Sequence, residues 1–288
     1  MITSINKCLS VCYTTYMIIA VDTGGTKTLV AAFSNNGKII DSTKFPTPID
    51  QLEYVGHLVE TIRNLCNDQA PRIISIAMPD ITDKSFVPIF SNLPWSDFDV
   101  IAALRPFFPT SIPIIAANDA KLGGLGEVRS MINHPKRALY ITISTGIGTG
   151  LVVNGKLSKD MSSAEGGHII LEHDGMFQLW EQYASGKAIY TSYGKFASDI
   201  TSKHAWNDIN KRFLSGFLVL VPLFQPDLII IGGSIGTHFE KYGVTLEALV
   251  HEKLSPTTKR PKFLQASHPE QAVIYGCYYH ALDSLSTR

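Results

Sequence analysis

A carboxylate and two glycines follow the first long apolar run of the sequence, in the stretch Asp22–Thr28 (DTGGTKT). Glycines in a turn let backbone N–H groups approach an anion closely, because no Cβ intervenes. We expect Gly24 and Gly25 to leave their N–H groups free for phosphate oxygens, with Thr26 and Lys27 adding a hydroxyl and a positive charge. A tight hairpin alone would explain this turn about as well as a phosphate ligand does.

Two further glycine turns lie later in the chain, in Ser144–Gly150 (STGIGTG) and Gly232–Ser234 (GGS). They follow strands and lack the spacing of the nucleotide-binding phosphate loop or of the dinucleotide-binding fingerprint. Each turn alone is a weak signal. The candidate phosphate-binding residues in these two turns are Thr145, Gly146, Gly148, Gly232, Gly233 and Ser234.

Asp119 lies where an apolar run ends and a helical pattern begins, in Ala117–Glu127 (ANDAKLGGLGE). A carboxylate at this position, in a cleft between two domains, can hydrogen-bond an attacking hydroxyl and accept its proton. Asp119 is therefore our candidate for a general base, a role that is compatible with capping the helix.

The elements that position these residues follow one pattern twice, because each half opens with a glycine turn between two strands. Apolar runs predict strands at 17–21, 28–33, 38–41, 72–78, 112–117, on both sides of the turn within 138–157, at 227–231 and near 263. Helical spacing predicts helices at 50–66, 97–108, 177–197, 206–224, 237–254 and 270–285. The buried stripe of the first helix is predicted to be Leu52, Val55, Val59, Ile62 and Leu65.

This repetition predicts an α/β protein with a duplicated unit and a cleft between two domains. We expect residues 1–16 to form a disordered extension, with Met17 as the effective first residue. Residues 17–118 are predicted to form a small N-terminal domain, completed by the C-terminal helix of residues 270–288. Residues 119–269 are predicted to form a large C-terminal domain. Asn36-Gly37 and Asn154-Gly155 are predicted hairpin turns.

The composition of the 288-residue chain excludes several classes of partner. Its 25 basic and 25 acidic residues cancel and form no block of one sign, which argues against nucleic acid and anionic membranes as partners. The four cysteines are sparse and form no disulfide framework, as is typical of a reducing cytoplasm. Charged residues are only 17%, against about 25% in average proteins. This low charge favours tight interfaces, so we expect a homodimer.

Taken together, the segments resemble the actin-like sugar kinase superfamily and, within it, the ROK family (repressors, open reading frames and kinases). DTGGTKT and STGIGTG resemble its two phosphate motifs, and PDLIIIGGSIG its adenosine motif. ANDAKLGGLGE resembles its Asn-Asp catalytic segment, AEGGHIILEHDG its Glu-x-Gly-His sugar segment, and LWEQYASGKAI its Glu-x-Tyr-Ala-Ser-Gly stretch. The resemblance covers Met17–His280 in the family's order.

The resemblance implies a duplicated actin-like ATPase (ribonuclease H-like) fold and ATP-dependent phosphorylation of a hexose. Glucose, converted to glucose 6-phosphate, is the expected substrate, and Asp119 the expected general base. Asp22 is expected to bind Mg²⁺ as a hard oxygen ligand, directly or through a coordinated water. The sugar-binding positions implied by the family are Asn118, Asp119, Glu165, His168 and Glu181.

The chain departs from the family pattern in two places. Many relatives carry a Cys-x-Cys-Gly-x-x-Gly-Cys run after the Gly-His pair that forms a structural zinc site. The corresponding segment here contains no cysteine, so we expect no zinc at His168. Met78-Pro79-Asp80 also stands where relatives usually have Gly-Pro-Gly beside the sugar. Asp80 adds a charge there, which leaves the identity of the sugar open.

Two other functions remain as alternatives. One is a kinase of the same fold with another donor or sugar: a polyphosphate-dependent glucokinase, an N-acetylhexosamine kinase or a fructokinase. The other is a sugar-sensing regulator, since ROK relatives include repressors. We regard a regulator as the weaker alternative, because residues 1–16 are too few for the helix-turn-helix domain that such repressors carry.

Overall fold

The structure, a computed structural model, describes residues 17–81, 85–90, 93–268 and 271–286. The predicted extension of residues 1–16 lies outside the described residues. The description below therefore begins at Met17, which is buried immediately before the first strand.

Strands and helices alternate along the chain. The strands are β1 (Ile18–Thr23), β2 (Lys27–Phe33), β3 (Ile39–Pro46), β4 (Ile73–Ala77), β5 (Phe86–Ile89), β6 (Ser96–Asp99), β7 (Ile114–Ala117), β8 (Arg137–Ile143), β9 (Ile147–Val153), β10 (Lys156–Leu157), β11 (Ile170–His173), β12 (Met176–Leu179), β13 (Leu228–Gly232) and β14 (Lys262–Gln265). The α-helices are α1 (Gln51–Leu65), α2 (Val100–Leu104), α3 (Asp119–Ser130), α4 (Trp180–Ala184), α5 (Gly186–Tyr193), α6 (Lys203–Phe224), α7 (Gly233–Gly236), α8 (Gly243–Lys253) and α9 (Ala272–Ser286). Short 3₁₀ helices span Arg105–Phe107, Lys159–Met161, Gly166–His168, Ala197–Asp199 and Phe239–Lys241. None of these helices is both long and apolar enough to cross a membrane, over the residues described.

Two five-stranded sheets share one topology. The first has the strand order β3-β2-β1-β4-β7 and the second β10-β9-β8-β13-β14. In each, an antiparallel hairpin (β1-β2 or β8-β9) is extended by parallel strands on the side of its first strand. The predicted α/β class and its duplication are confirmed. The predicted division of the chain after residue 118 stays a prediction.

Helices cover both faces of the first sheet, which explains why its central strands are apolar along their whole length. Ile19 and Val21 of β1 belong to the core on the α1 side, together with Tyr54 of α1. Ile18, the neighbour of Ile19, lies in the core on the opposite side, together with Cys277 of α9. Alternate side chains of one strand therefore enter two different cores.

Helices α3 and α9 cross with their backbones in contact. A Cβ atom on Gly126 of α3 would lie 1.9 Å from the carbonyl oxygen of Ala272, and one on Gly276 of α9 would lie 1.9 Å from that of Leu122. No side chain fits at either position. The two glycines therefore set the distance between α3 and α9.

Some local predictions were wrong. In the predicted buried stripe of α1, Leu52 is 82% exposed, whereas the other four residues are buried as predicted: Val55, Val59, Ile62 and Leu65. The helix also buries Tyr54 and Leu58, so its buried face is rotated from the predicted one. The predicted helix at 177–197 is β12 followed by two short helices, which Ser185 separates by capping the second of them. The predicted helix at 97–108 begins only at Val100, after β6.

The two predicted hairpin turns differ in conformation. Asn154 and Gly155 both have positive φ, 51° and 71°, the arrangement that two-residue hairpins favour. In the Asn36-Gly37 turn only Gly37 has positive φ, 82°. Both turns connect neighbouring antiparallel strands, as the sequence predicts.

Candidate active site

The first glycine turn connects β1 to β2 and is closed by its own hydrogen bonds. The N–H of Gly24 donates to the carbonyl oxygen of Lys27 at 3.0 Å. The expectation that this N–H is free for phosphate was therefore wrong, since the tight turn uses it. Thr47 Oγ1 donates to the carbonyl oxygen of Gly24 at 2.7 Å, which fixes the turn against the end of β3. The side chains of Thr26 and Lys27 are exposed.

Asp22 lies at the end of β1, immediately before this turn. Burial and the negative charge of Asp119 raise the pKa of Asp22, and the positive charge of Lys44 lowers it. The net result is a pKa of about 7. Two carboxylates that repel each other in a desolvated site form an environment that a cation would stabilise. One carboxylate with oxygens from a phosphate and from water suits Mg²⁺, which rarely has an all-protein cage. The residues present therefore fit a magnesium–phosphate group.

Asn118 and Asp119 join strand β7 to helix α3. Asn118 is the N-cap, because its Oδ1 accepts hydrogen bonds from the N–H groups of Ala120 and Lys121 at 3.0 and 3.3 Å. The carboxylate of Asp119 also accepts from Ala120 N–H, at 2.7 Å. Burial, and then the charges of Asp80 and Glu165, raise the pKa of Asp119 to about 6, against the lowering effects of the Ala120 N–H and of Lys121.

The turn after β4 runs beside this carboxylate. The N–H of Met78 donates to the carbonyl oxygen of Ala117 at 3.1 Å, so the Met78-Pro79-Asp80 segment lies alongside the start of α3. Asp80 has a positive φ of 56°, a left-handed conformation that aspartate tolerates better than most residues. Its charge contributes to the raised pKa of Asp119.

A lysine that sequence reasoning missed completes this part of the site. Lys121 Nζ lies 2.7 Å from Oε1 of Glu165, and the side chains are 7% and 30% exposed. The pair joins the first turn of α3 to the segment before the 3₁₀ helix at 166–168. A lysine two residues after a candidate base was the only available sign, and an exposed helical lysine would give the same pattern.

Glu181 and His168 lie together at the second glycine turn. Oε2 of Glu181 accepts a hydrogen bond from Ile147 N–H at 3.0 Å, and Oε1 lies 3.6 Å from His168 Nε2. A Cβ on Gly146 would approach Oε2 of Glu181 to 2.6 Å. The second glycine turn and the predicted sugar-binding residues are therefore in direct contact.

Strand β9 lies against the start of α3 and supports the same region. A Cβ on Gly148 would lie 2.6 Å from the Cβ of Ala120, so packing alone requires glycine there. Thr149 Oγ1 accepts a hydrogen bond from Gly166 N–H at 3.0 Å. Through these contacts β9 supports both the start of α3 and the segment that carries Glu165.

A groove of about 580 Å³ lies beside the second and third glycine turns. Ser144 and Ser234 lie in it with their hydroxyls 3.2 Å apart, which brings the second and third glycine turns together. Tyr190 and Phe196 form an aromatic pair with ring centroids 4.7 Å apart. The lining consists of Ser144, Thr145, Gly186, Lys187, Tyr190, Phe196, Ala197, Ser198, Ser234, Ile235, Thr237 and His238.

These lining residues include no carboxylate, and Lys187 and His238 are basic, so the groove suits an anion with an apolar end. Sequence reasoning found Thr145 and Ser234 but not the aromatic pair, whose residues belong to the wrongly predicted helix. A hollow of about 310 Å³ elsewhere, on the surface of α1, contains none of the candidate residues.

The polar run after His168 forms a hairpin. Strands β11 and β12 pair from Ile170–Leu179 to His173–Met176, and His173 stacks on Tyr183 at 4.1 Å. Over the described ranges, no group of three or more His, Cys, Asp or Glu side chains could hold a metal ion. The absence of zinc stays a prediction.

Known proteins of two kinds resemble this chain. A fructokinase from Pediococcus pentosaceus is 26% identical over 240 residues, and the alignment covers 75% of this chain and 79% of that protein. A xylose repressor from Bacillus subtilis (strain 168) is 32% identical over 186 residues, covering 56% of this chain and only 48% of the repressor.

A solved structure shows the fold, and a family model shows the family. A ROK family glucokinase from Streptomyces griseus, in complex with glucose and AMPPNP, has a TM-score of 0.74 and 20% identity, and the match covers 93% of this chain and 99% of that chain. The fold is therefore the actin-like fold of the ROK sugar kinases. The sequence model of the ROK family matches residues 18–284, and the chain therefore belongs to the ROK family.

Proposed function

We propose that the protein transfers the γ-phosphoryl group of ATP to the 6-hydroxyl of glucose. The position and pKa of Asp119 are the observation that carries this proposal. Its pKa of about 6 leaves the carboxylate ionised at neutral pH yet close to the value at which a general base is most effective. Asp119 interacts electrostatically with Asp22 of the first glycine turn and with Glu165 of the sugar segment.

On the acceptor side, the proposed sugar-binding residues are Asn118, Glu165, His168 and Glu181. The carboxylates accept hydrogen bonds from sugar hydroxyls. Oδ1 of Asn118 caps α3, so its NH₂ group is the part that would donate to the sugar. His168 is 59% exposed beside Glu181, which leaves its ring available to a ligand at that edge.

On the donor side, we assign the groove beside the second and third glycine turns to the nucleotide. The hydroxyls of Ser144, Thr145 and Ser234 would donate to phosphate oxygens, and Lys187 supplies positive charge. Tyr190 and Phe196 offer an aromatic surface for the base. Polyphosphate has no base to stack on that surface, so the aromatic pair favours ATP as the donor.

Asp22 is the residue that would hold Mg²⁺, directly or through water. When bound, the ion would neutralise charge on the transferring phosphoryl group. Asp119 would orient the attacking hydroxyl and accept its proton, and the sugar-binding residues would exclude water from competing as the acceptor.

The test is a coupled phosphorylation assay with glucose, mannose, galactose, fructose and N-acetylmannosamine, with ATP or polyphosphate as donor. Glucose with ATP should give the highest kcat/KM. Asp119→Asn should keep sugar affinity but lower kcat by roughly 10²–10⁴-fold. Asp208→Asn, which alters an exposed carboxylate of α6, should behave like the wild type.

The alternatives have distinct outcomes in the same assay. A higher kcat/KM with fructose or N-acetylmannosamine would replace the sugar in the proposal, and a higher one with polyphosphate would replace the donor. Sugar binding without turnover on any donor would identify a sugar-binding regulator and refute the kinase proposal.

We also propose that the protein acts as a homodimer in the cytoplasm. The low charge content supports an interface between copies. The two cysteines in the described part of the chain, Cys66 and Cys277, are buried and free, which is consistent with a reducing compartment. Light scattering on the purified chain would give the mass of the assembly, and a monomer mass would contradict the dimer.

A further inference from the structure

Lys121 carries a charged side chain that is buried. Its side chain is 7% exposed, and a buried ammonium needs a partner because desolvation disfavours its charged form. The partner is Glu165, whose Oε1 lies 2.7 Å from Nζ. Glu165 is the more exposed of the two, so its second oxygen remains available to a ligand.

Both ends of this contact are fixed by other hydrogen bonds. The backbone N–H of Lys121 donates to the capping Asn118 at 3.3 Å, which ties the lysine to the start of α3. On the other side, Gly166 N–H donates to Thr149 at 3.0 Å, which holds the residue next to Glu165. The ion pair therefore links two pieces of backbone that are already in place, and it determines the orientation of the Glu165 carboxylate.

The neighbouring charges show why this orientation needs a cation. Asp80 and Glu165 both act on Asp119 as like charges, and the charge of Asp119 in turn raises the pKa of Asp22. Without a nearby ammonium, a flexible glutamate next to these carboxylates would turn toward solvent, because like charges repel. That change would remove a hydrogen-bond acceptor from the sugar side of the site.

We propose that Lys121 is a positioning residue of the sugar site, which holds Glu165 so that its free oxygen accepts a hydrogen bond from a sugar hydroxyl. The inference rests on the proposed function, because that proposal assigns Glu165 to the sugar. Lys121 acts through Glu165 and leaves the nucleotide groove unaffected.

The experiment compares Lys121→Met, Glu165→Gln and the double variant with the wild type. Calorimetry gives the affinity for glucose, and steady-state kinetics give kcat and the KM values for glucose and ATP. Lys121→Met should weaken glucose binding roughly 10- to 100-fold, since hydrogen bonds to charged groups are among the stronger ones, with little change in KM for ATP. In the double variant, glucose affinity should equal that of Glu165→Gln alone, because the lysine acts only through that glutamate.

Two further variants separate positioning from stability. Lys121→Arg keeps the charge and should recover part of the affinity. Lys211→Met removes an exposed lysine of α6 that lies 3.1 Å from Asp208 and should match the wild type. If Lys121→Met does not give folded protein, Lys121→Gln is used in its place, because it keeps a donor for Glu165 but no charge.

The inference is overturned if Lys121→Met keeps the wild-type affinity for glucose. It is also overturned if the double variant binds glucose more weakly than Glu165→Gln by the full effect of Lys121→Met. A loss of glucose and ATP binding together would overturn it as well. Either result would mean that the ion pair stabilises the structure and does not position Glu165. A wild-type protein that binds and phosphorylates no hexose would instead refute the proposed function.

Discussion

Replacing Asp80 by asparagine should move the acidic limb of the pH–activity profile to lower pH. In the proposed reaction Asp119 is the general base and must be ionised to accept a proton, so kcat/KM should be full above its pKa and should be lost as the pH falls through that value. With a pKa of about 6, about a tenth of the carboxylate remains ionised one pH unit below, and kcat/KM should fall about tenfold there.

The size of the shift follows from the charge that is removed. Asp80 raises the pKa of Asp119, so Asp80→Asn lowers it and the midpoint moves down. A unit charge within about 4–6 Å shifts the pKa of a carboxylate by about 1–3 units, or about 1.4–4 kcal/mol. Asp80 is partly exposed, and solvent screening reduces this to about 0.5–1 unit.

The assay is the profile of kcat/KM for glucose between about pH 4.5 and 8 at saturating Mg²⁺ and nucleotide. The ionisation of the nucleotide is common to both enzymes, so the difference between profiles reports the protein. Asp208→Asn, on the surface of α6, is the matched control and should overlay the wild type. A midpoint that stays in place or moves to higher pH in Asp80→Asn would refute the electrostatic reasoning.

Three other outcomes are expected. Asp22→Asn should abolish most Mg²⁺-dependent turnover yet raise the Tm of the metal-free protein at about pH 8. The folded-state pKa of Asp22, about 7, lies above its unfolded value, so the free energy of unfolding falls as the pH rises from about 4 to 7. Asp22→Asn removes this loss and should increase the free energy of unfolding at about pH 8 by about 1–3 kcal/mol. Calorimetry showing a lower Tm for the variant would contradict this. Gly276→Ala should cost roughly 3 kcal/mol in denaturant unfolding, because its Cβ would meet the Leu122 carbonyl oxygen at 1.9 Å. Its control, Gly56→Ala, has nothing within 4 Å and should stabilise α1 by about 0.5–1 kcal/mol. Phe196→Ala should raise the KM for ATP roughly tenfold through lost stacking, leaving the KM for glucose unchanged; equal effects on both substrates would argue against the groove as the base site.

The sequence was most informative where chemistry and local backbone requirements coincide. Glycine turns, the Asn118-Asp119 pair at the end of a buried strand and alternating apolar runs each have a local cause, so the duplicated α/β fold and the position of Asp119 could be predicted. The ion pair of Lys121 could not be predicted, because its partner Glu165 lies 44 residues away in the sequence and only the fold brings the two side chains together.

Errors in secondary structure had equally specific causes. Leu52 fits the helical period but points to solvent, because the sheet packs against a face of α1 that is rotated toward Tyr54. The stretch 177–197 has helical composition throughout, but Ser185 caps a new helix within it and β12 pairs with β11. Gly24 was expected to have a free N–H because sequence does not show which groups a turn uses to close itself.

The crossing of α9 over α3 and the first sheet has a consequence for how the chain is made. One face of β1 and β4, including Ile18 and Ile73, is covered by residues of α9. The hydrogen bond from Cys277 to the Val21 carbonyl oxygen closes a loop of 256 residues. On the ribosome, the first sheet therefore emerges with an apolar face that has no cover until synthesis reaches α9. Contacts of this length form slowly and leave a partly made chain prone to aggregation, so we expect this face to need shielding during synthesis.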